Sequence, residues 1–141
     1  MLVNSFDTKY SKTAVKYENL DNLFAKICSS NKKFSRIFTS VIEDKYLKSH
    51  SEATLRSDIT GQVINTILTH DSSSKHFLYY MGDVFKKDKI NNNIKQFRQH
   101  GVEIINLPKN TSFKEVLVIL DKILNNILKK NYTFVFTDPK L

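Results

Sequence analysis

The 141 residues, 40% of them hydrophobic and with only three Gly and two Pro, fit one domain of long regular elements joined by short connections. A single cysteine excludes an internal disulfide framework, and no apolar run approaches the ~20 residues a membrane span needs. Twenty-two Lys and Arg against fourteen Asp and Glu leave a formal charge of +8, which favours polyanionic partners: nucleic acid or an acidic protein. That charge is nonetheless carried almost wholly by lysine. Only Arg36, Arg56 and Arg98 supply the planar fork suited to bidentate recognition. A wealth of Lys, Asn and Ile is also what an AT-rich genome produces without functional cause. The N-terminus lacks a basic stretch followed by an apolar core, so no signal peptide is expected and the anticipated location is cytoplasmic.

Taken in order, Leu2–Phe6 is expected as a tail or short edge strand. Helical spacing then predicts a first helix over Lys12–Ser29, with Ala14, Val15, Leu20, Leu23, Phe24, Ile27 and Cys28 inward. Cys28 is accordingly expected as a buried packing thiol. A second helix is predicted over Lys32–Lys48 on Phe34, Ile37, Phe38, Val41 and Ile42. A third follows Ser51 or Ser57 and runs to His70, with a break possible at Gly61. After the polar linker 71–75, His76–Val84 has the continuous apolar character of a strand covered on both faces. Lys87–His100 is predicted as a fourth helix, with Ile90, Ile94 and Phe97 inward and Gly101 as its terminator. Val102–Leu107 is a second strand. Ser112–Lys130 is a long amphipathic helix, and Tyr132–Phe136 a third strand.

The expected fold is therefore a single α/β domain over residues 1–141. An N-terminal three-helix segment (1–70) packs on a small, mainly parallel sheet of three or four strands, built by a βαβαβ half (76–138).

Three patterns offer chemistry. Asp83 and Asp138 both follow predicted strands, and in a parallel sheet both would lie on the ligand-binding edge, with Asn106 nearby. Two such carboxylates suit a divalent cation, so Mg²⁺ is expected only under this enzymatic alternative; otherwise no cofactor is expected. Asp is also a common turn former after strands. The second pattern is Ser51-Glu-Ala-Thr-Leu-Arg-Ser-Asp-Ile59, which resembles the opening of the recognition helix in DeoR-type winged helix-turn-helix repressors. The resemblance implies that Ser51 caps a helix and that Thr54 and Arg56 face the major groove. No glycine-containing wing follows. Third, Lys86, Lys87 and Lys89 at the start of the fourth helix form a candidate anion site, and with Arg98, Thr54 and Arg56 they are the candidate nucleic-acid-binding residues. Phe77, Tyr79, Tyr80 and Phe85 suit either base stacking or a core strand, and burial is the favoured role. Of the four histidines, none has zinc-ligand spacing to Cys28 or to a third His.

The leading expectation is a small basic binding or regulatory protein, nucleic acid included among its ligands, and not an enzyme. The alternatives are a metal-dependent phosphoryl-transfer enzyme or nuclease using Asp83 and Asp138, and a protein–protein interaction module such as an inhibitor or assembly subunit.

Overall fold

A computed structural model describes residues 11–45, 52–87, 93–129 and 131–135. Along them run α1 (Ser11–Ser30), β1 (Ser35–Arg36), β2 (Ile42–Lys45), β3 (Glu52–Leu55), α2 (Thr60–His70), β4 (His76–Lys87), β5 (Ile94–Ile105) and α3 (Lys109–Leu128). β4 and β5 form an antiparallel hairpin paired over all twelve positions, from His76 opposite Ile105 to Lys87 opposite Ile94. β1 adds to the other side of β4 in parallel, giving the order β1-β4-β5, while β2 and β3 make a separate antiparallel pair.

The alternation along β4 decides what each face of the sheet covers. Phe77, Tyr79 and Met81 point to one face, where they meet Phe24, Ile27 and Cys28 of α1, Phe34, and Ile119 of α3. Leu78, Tyr80 and Val84 point to the other, where Ile59 at the N-cap of α2 and Val63 and Ile67 within it close a second cluster. The four-residue spacing from Ile59 to Ile67 is one helix stripe, and Ile59 and Val63 are almost completely removed from water. Each such side chain stabilises the fold by about 1.5–3 kcal/mol. β4 is thus the one element buried from both sides, and its predicted two-faced character is what the structure shows.

Two glycines admit what the sheet face must hold. A Cβ on Gly82 would stand 2.2 Å from an Arg56 guanidinium nitrogen, and one on Gly101 would stand 2.2 Å from the Tyr80 ring. Beyond β5, Asn106 takes the left-handed conformation (φ 61°) and its Nδ2 donates to the carbonyls of Ser72 and Ser74 at 2.8 and 2.7 Å. This fixes the turn from sheet to α3 against the 71–75 loop. The amide therefore serves the backbone and not a cation.

The molecule is α/β, but the expected architecture is overturned. The helices expected over 32–48 and 87–100 are absent from their described residues, 32–45 and 93–100; the N-terminal part is not a three-helix segment, and the C-terminal part is not a parallel βαβαβ unit. In the 32–48 stretch, Phe34 enters the first core cluster and Ile37 packs on the second, while Phe38 is 76% exposed. One helix face cannot serve two cores on opposite sides of a sheet, so the chain here runs irregularly. The Ile37 amide instead donates to the Tyr79 carbonyl at 3.0 Å, extending the contact with β4. In the 94–105 stretch, pairing with β4 supplies a backbone partner at every second residue, which outweighs the helical spacing of Ile94 and Phe97. Gly101 is consequently a mid-strand residue under Tyr80 and not a helix terminator. The third predicted helix survives only as α2, because Glu52–Leu55 belongs to β3. α3 begins at Lys109 and packs against α1, not as a lid between parallel strands. Residues 131–135 form no strand. Leu2–Phe6 and Phe136 lie outside the described residues.

Candidate functional site

The sheet brings charged and polar side chains together at two places, one on each face. On the α1 face, Arg98 of β5 donates from Nε to Asp21 Oδ1 at 3.2 Å and from Nη2 to Asp21 Oδ2. A further Nη1 donor reaches Asp83 Oδ1 at 3.2 Å. His100 Nε2 lies 2.7 Å from the same Asp21 carboxylate, its ring edge-on to Phe24. Burial alone would raise the pKa of Asp21; the hydrogen bonds and positive charges of Arg98 and His100 outweigh it and hold the carboxyl below its usual range. Arg98 is pushed further up by the same partner. This cluster ties α1 to β5 and is already charge-paired.

The α2 face carries the more accessible constellation. Tyr80 Oη donates to Glu103 Oε1 at 3.1 Å, so its single proton is committed, and Thr60 Oγ1 at 2.8 Å must be the donor to Tyr80. Burial drives the Tyr80 phenol up to about 12. Gln99 donates from Nε2 to Asp58 Oδ1 at 2.6 Å and accepts the Ile59 amide at 3.1 Å. Asp58 is exposed, and burial would lift its pKa slightly. The Gln99 amide and the backbone amides of Thr60, Ile59 and Gly61 at the start of α2 hold it lowered instead. Gln99 and Glu103 share one face of β5, about 13 Å apart along the strand at ~3.3 Å per residue. Between them Gly101 leaves the Tyr80 ring uncovered by any Cβ. With the Tyr80, Thr60 and Gln99 protons committed inside the cluster, what it presents is the carboxylates of Asp58 and Glu103, which suit a small ligand that bears a cationic nitrogen.

The residues singled out from sequence fall elsewhere. Asp83 spends its carboxylate on Arg98 and its carbonyl on Arg56 Nε at 2.6 Å, and Asp138 lies outside the described residues. Among the described residues, no group of three or more His, Cys, Asp or Glu side chains is placed to hold a metal ion. Thr54 sits in strand β3 opposite Glu43, so the segment that resembles a recognition helix is part of a β-hairpin. Arg56 is only 4% exposed. Its Nη1 is within 3.0 Å of the carbonyls of Thr39 and Ser40 and 2.8 Å of Thr39 Oγ1, and no groove is open to it. Burial lowers its pKa, opposed by the charge of Asp83. Lys86 and Lys87 end β4 as exposed side chains, with no helix N-terminus beside them among the described residues. Lys89 and His50 lie outside the described residues. Tyr79 and Tyr80 are core residues, and Cys28 is fully buried with its thiol raised to about 11 by desolvation.

Gln99 was missed because 87–100 scans as a helix, and Asp58, Thr60 and Glu103 because no local motif joins them to it. Two signals pointed the other way: the Asn91-Asn92-Asn93 run, typical of a hairpin connection, and the alternating Gly101-Val-Glu-Ile104 that follows.

This mixed sheet with helices on both faces and a polar cluster on the outer strand defines an α/β domain. Residues 20–141 match the histidyl-tRNA synthetase family, and the chain belongs to it. No significant match is found among curated proteins. Among solved structures, the chain is similar to the ATP phosphoribosyl transferase (HisG:HisZ) complex from Thermotoga maritima. The TM-score is 0.66 and the identity 18%, over 77% of this chain and 41% of that one. At this identity the likeness is one of fold. The chain thus spans less than half the length of that structural relative. No helix among the described residues is long and apolar enough to cross a membrane.

Proposed function

We propose that the protein is a non-catalytic regulatory subunit: a synthetase-type domain that senses histidine and assembles with an enzyme of the ATP phosphoribosyltransferase kind. The observation that carries this is the state of its arginines. Arg56 is locked into backbone carbonyls and Arg98 into two carboxylates, so neither is left to neutralise developing negative charge in a phosphoryl or acyl transfer. A domain of this family with two of its three arginines turned inward, and the third, Arg36, exposed over the Phe38 ring, is suited to binding and not to turnover. Histidine is the amino acid in the family's name, and its ammonium group and imidazole N–H are donors of the kind that the carboxylates of Asp58 and Glu103 accept. The likeness to a two-component transferase complex supports a protein partner, in line with the assembly-subunit alternative drawn from sequence. Nucleic acid gains no comparable support, because the proposed reading helix is a β-hairpin.

The test mixes the purified chain with the catalytic transferase subunit, with and without histidine, and follows complex mass by light scattering and transferase rate. A stoichiometric complex whose rate responds to histidine is expected, with Asp58→Asn weakening the response at least ~10-fold. Absence of a complex, or histidine-dependent aminoacylation of tRNA by the chain alone, overturns the proposal.

A further inference from the structure

Asp58 is exposed, yet it stands between two deeply buried side chains, Arg56 at 4% exposure and Ile59 at 1%. Only Ser57 separates it from the first, and the second follows it directly. Both neighbours converge on one point of the sheet. Gly82 of β4 lies opposite Gln99 of β5 and faces α2, as Tyr80 and Val84 do. A Cβ at Gly82 would meet Arg56 Nη2 at 2.2 Å and Ile59 Cδ1 at 3.0 Å, so the space left by the missing side chain seats both.

The backbone is tied at the same place. The Arg56 carbonyl accepts the Phe85 amide at 2.9 Å, its amide donates to the Val41 carbonyl at 3.0 Å, and its Nε donates to the Asp83 carbonyl at 2.6 Å. Arg56 thus reaches three separate stretches of chain, at Thr39–Ser40, at Asp83 and at its own turn, which an apolar side chain could pack against but not orient. On the other side of Asp58, the Ile59 amide donates to Gln99 Oε1 at 3.1 Å. That bond turns the Gln99 carboxamide so that its Nε2 meets Asp58 Oδ1 at 2.6 Å.

We infer that Arg56, seated on Gly82, is a positioning residue of the candidate site: it fixes where the Asp58 carboxylate stands over the sheet, in place for a ligand's cationic nitrogen. A carboxylate held in advance loses less conformational freedom on binding than one on a loose turn. The inference deepens the regulatory reading above and rests on it for the identity of the ligand.

Carboxyl ¹³C NMR of the full chain reads Asp58 directly, and in the wild-type chain its titration is expected below the ordinary aspartate range. Gly82→Ala, whose Cβ displaces Arg56 Nη2, is expected to move that titration up towards the ordinary value, as the hydrogen bonds that favour the charged form lengthen. Arg56→Lys, a cation without the fork, and Thr39→Val, which withdraws one acceptor, are expected to do the same in decreasing measure, whether or not the alanine variant folds. Glu103 is the internal control, because its bond to Tyr80 involves none of these residues, and its titration is expected to stay. Tyr80, which feels the charge of both carboxylates, remains protonated throughout that window, its phenol lying at about 12.

Calorimetry with histidine completes the test. Gly82→Ala is expected to weaken binding about 10-fold, and to change nothing further in an Asp58→Asn chain. An Asp58 titration that stays put in the folded variants overturns the inference. So does one that moves together with Glu103, the mark of general loosening, and so do penalties that add in the double variant. A wild-type chain that binds no histidine, while Asp58 alone responds to the three substitutions, overturns the regulatory reading and upholds the positioning of Asp58 by Arg56.

Discussion

The two faces of the β4–β5 hairpin solve the same problem in opposite ways. Both must hold an arginine against the sheet. On the α1 face, Arg98 is a quarter exposed and meets carboxylates from α1 and β4. On the α2 face, Arg56 is buried and meets almost only carbonyls, in space that exists because residue 82 has no side chain. The first arrangement is electrostatic and partly hydrated, the second steric and dry. A half-hydrated ion pair tolerates the loss of a partner because water can substitute. A buried guanidinium lattice does not.

The largest expected effect is therefore at Arg56. Arg56→Leu strands the carbonyls of Thr39, Ser40 and Asp83, and should lower unfolding free energy by about 3 kcal/mol in urea titrations, with β2–β3 loosening first in hydrogen exchange. Wild-type stability in that variant would show that the lattice is dispensable. Next comes Gly101→Ala, whose Cβ would press into the Tyr80 ring, a residue pinned between Thr60 and Glu103. About 1–3 kcal/mol of destabilisation is expected, and a Tyr80→Phe background should not relieve it, since the ring remains.

Asp21→Asn should cost less, about 1 kcal/mol at neutral pH, because water reaches the pair. Its pH signature is sharper than its size. The folded pKa of Asp21 is depressed, so its contribution is fully present above the unfolded value near 3.9 and is lost as pH falls through the lower folded value. The variant should flatten the acid limb of the stability curve in that window and leave it unchanged above about pH 5; an unaltered acid limb would sink the assignment. The smallest effect belongs to Lys33, whose ammonium bonds Glu115 at 2.9 Å from a side chain 58% exposed. Lys33→Ala should shift stability by less than about 0.5 kcal/mol, and less again in high salt.

The comparison also marks which errors a linear pattern invites. Phe34 to Ile42 has helical spacing, yet its apolar residues divide between two cores and the surface. Ile94 and Phe97 are one helical turn apart, yet both are exposed strand residues on opposite faces. Short apolar runs fit both periods, and which one wins depends on a distant partner. The candidate site was hidden for the same reason. Asp58, Thr60, Tyr80, Gln99 and Glu103 lie on three elements and share no local motif, whereas the conspicuous Asp83, Thr54 and Arg56 proved to be internal fittings.

Sequence alone determined the features that depend on local pattern and composition. These are α1, the stripe of α2 from Ile59 to Ile67, the doubly covered strand at His76–Val84, the burial of Cys28 and most of α3. Each rests on residues whose burial is decided within one element. Tertiary structure alone decided the antiparallel partner of β4, the parallel addition of β1, the interiors given to Arg56 and Tyr80, and the assembly of the polar face. Those depend on which backbone groups find partners far along the chain, and on two glycines whose meaning appears only when another side chain occupies the space they leave.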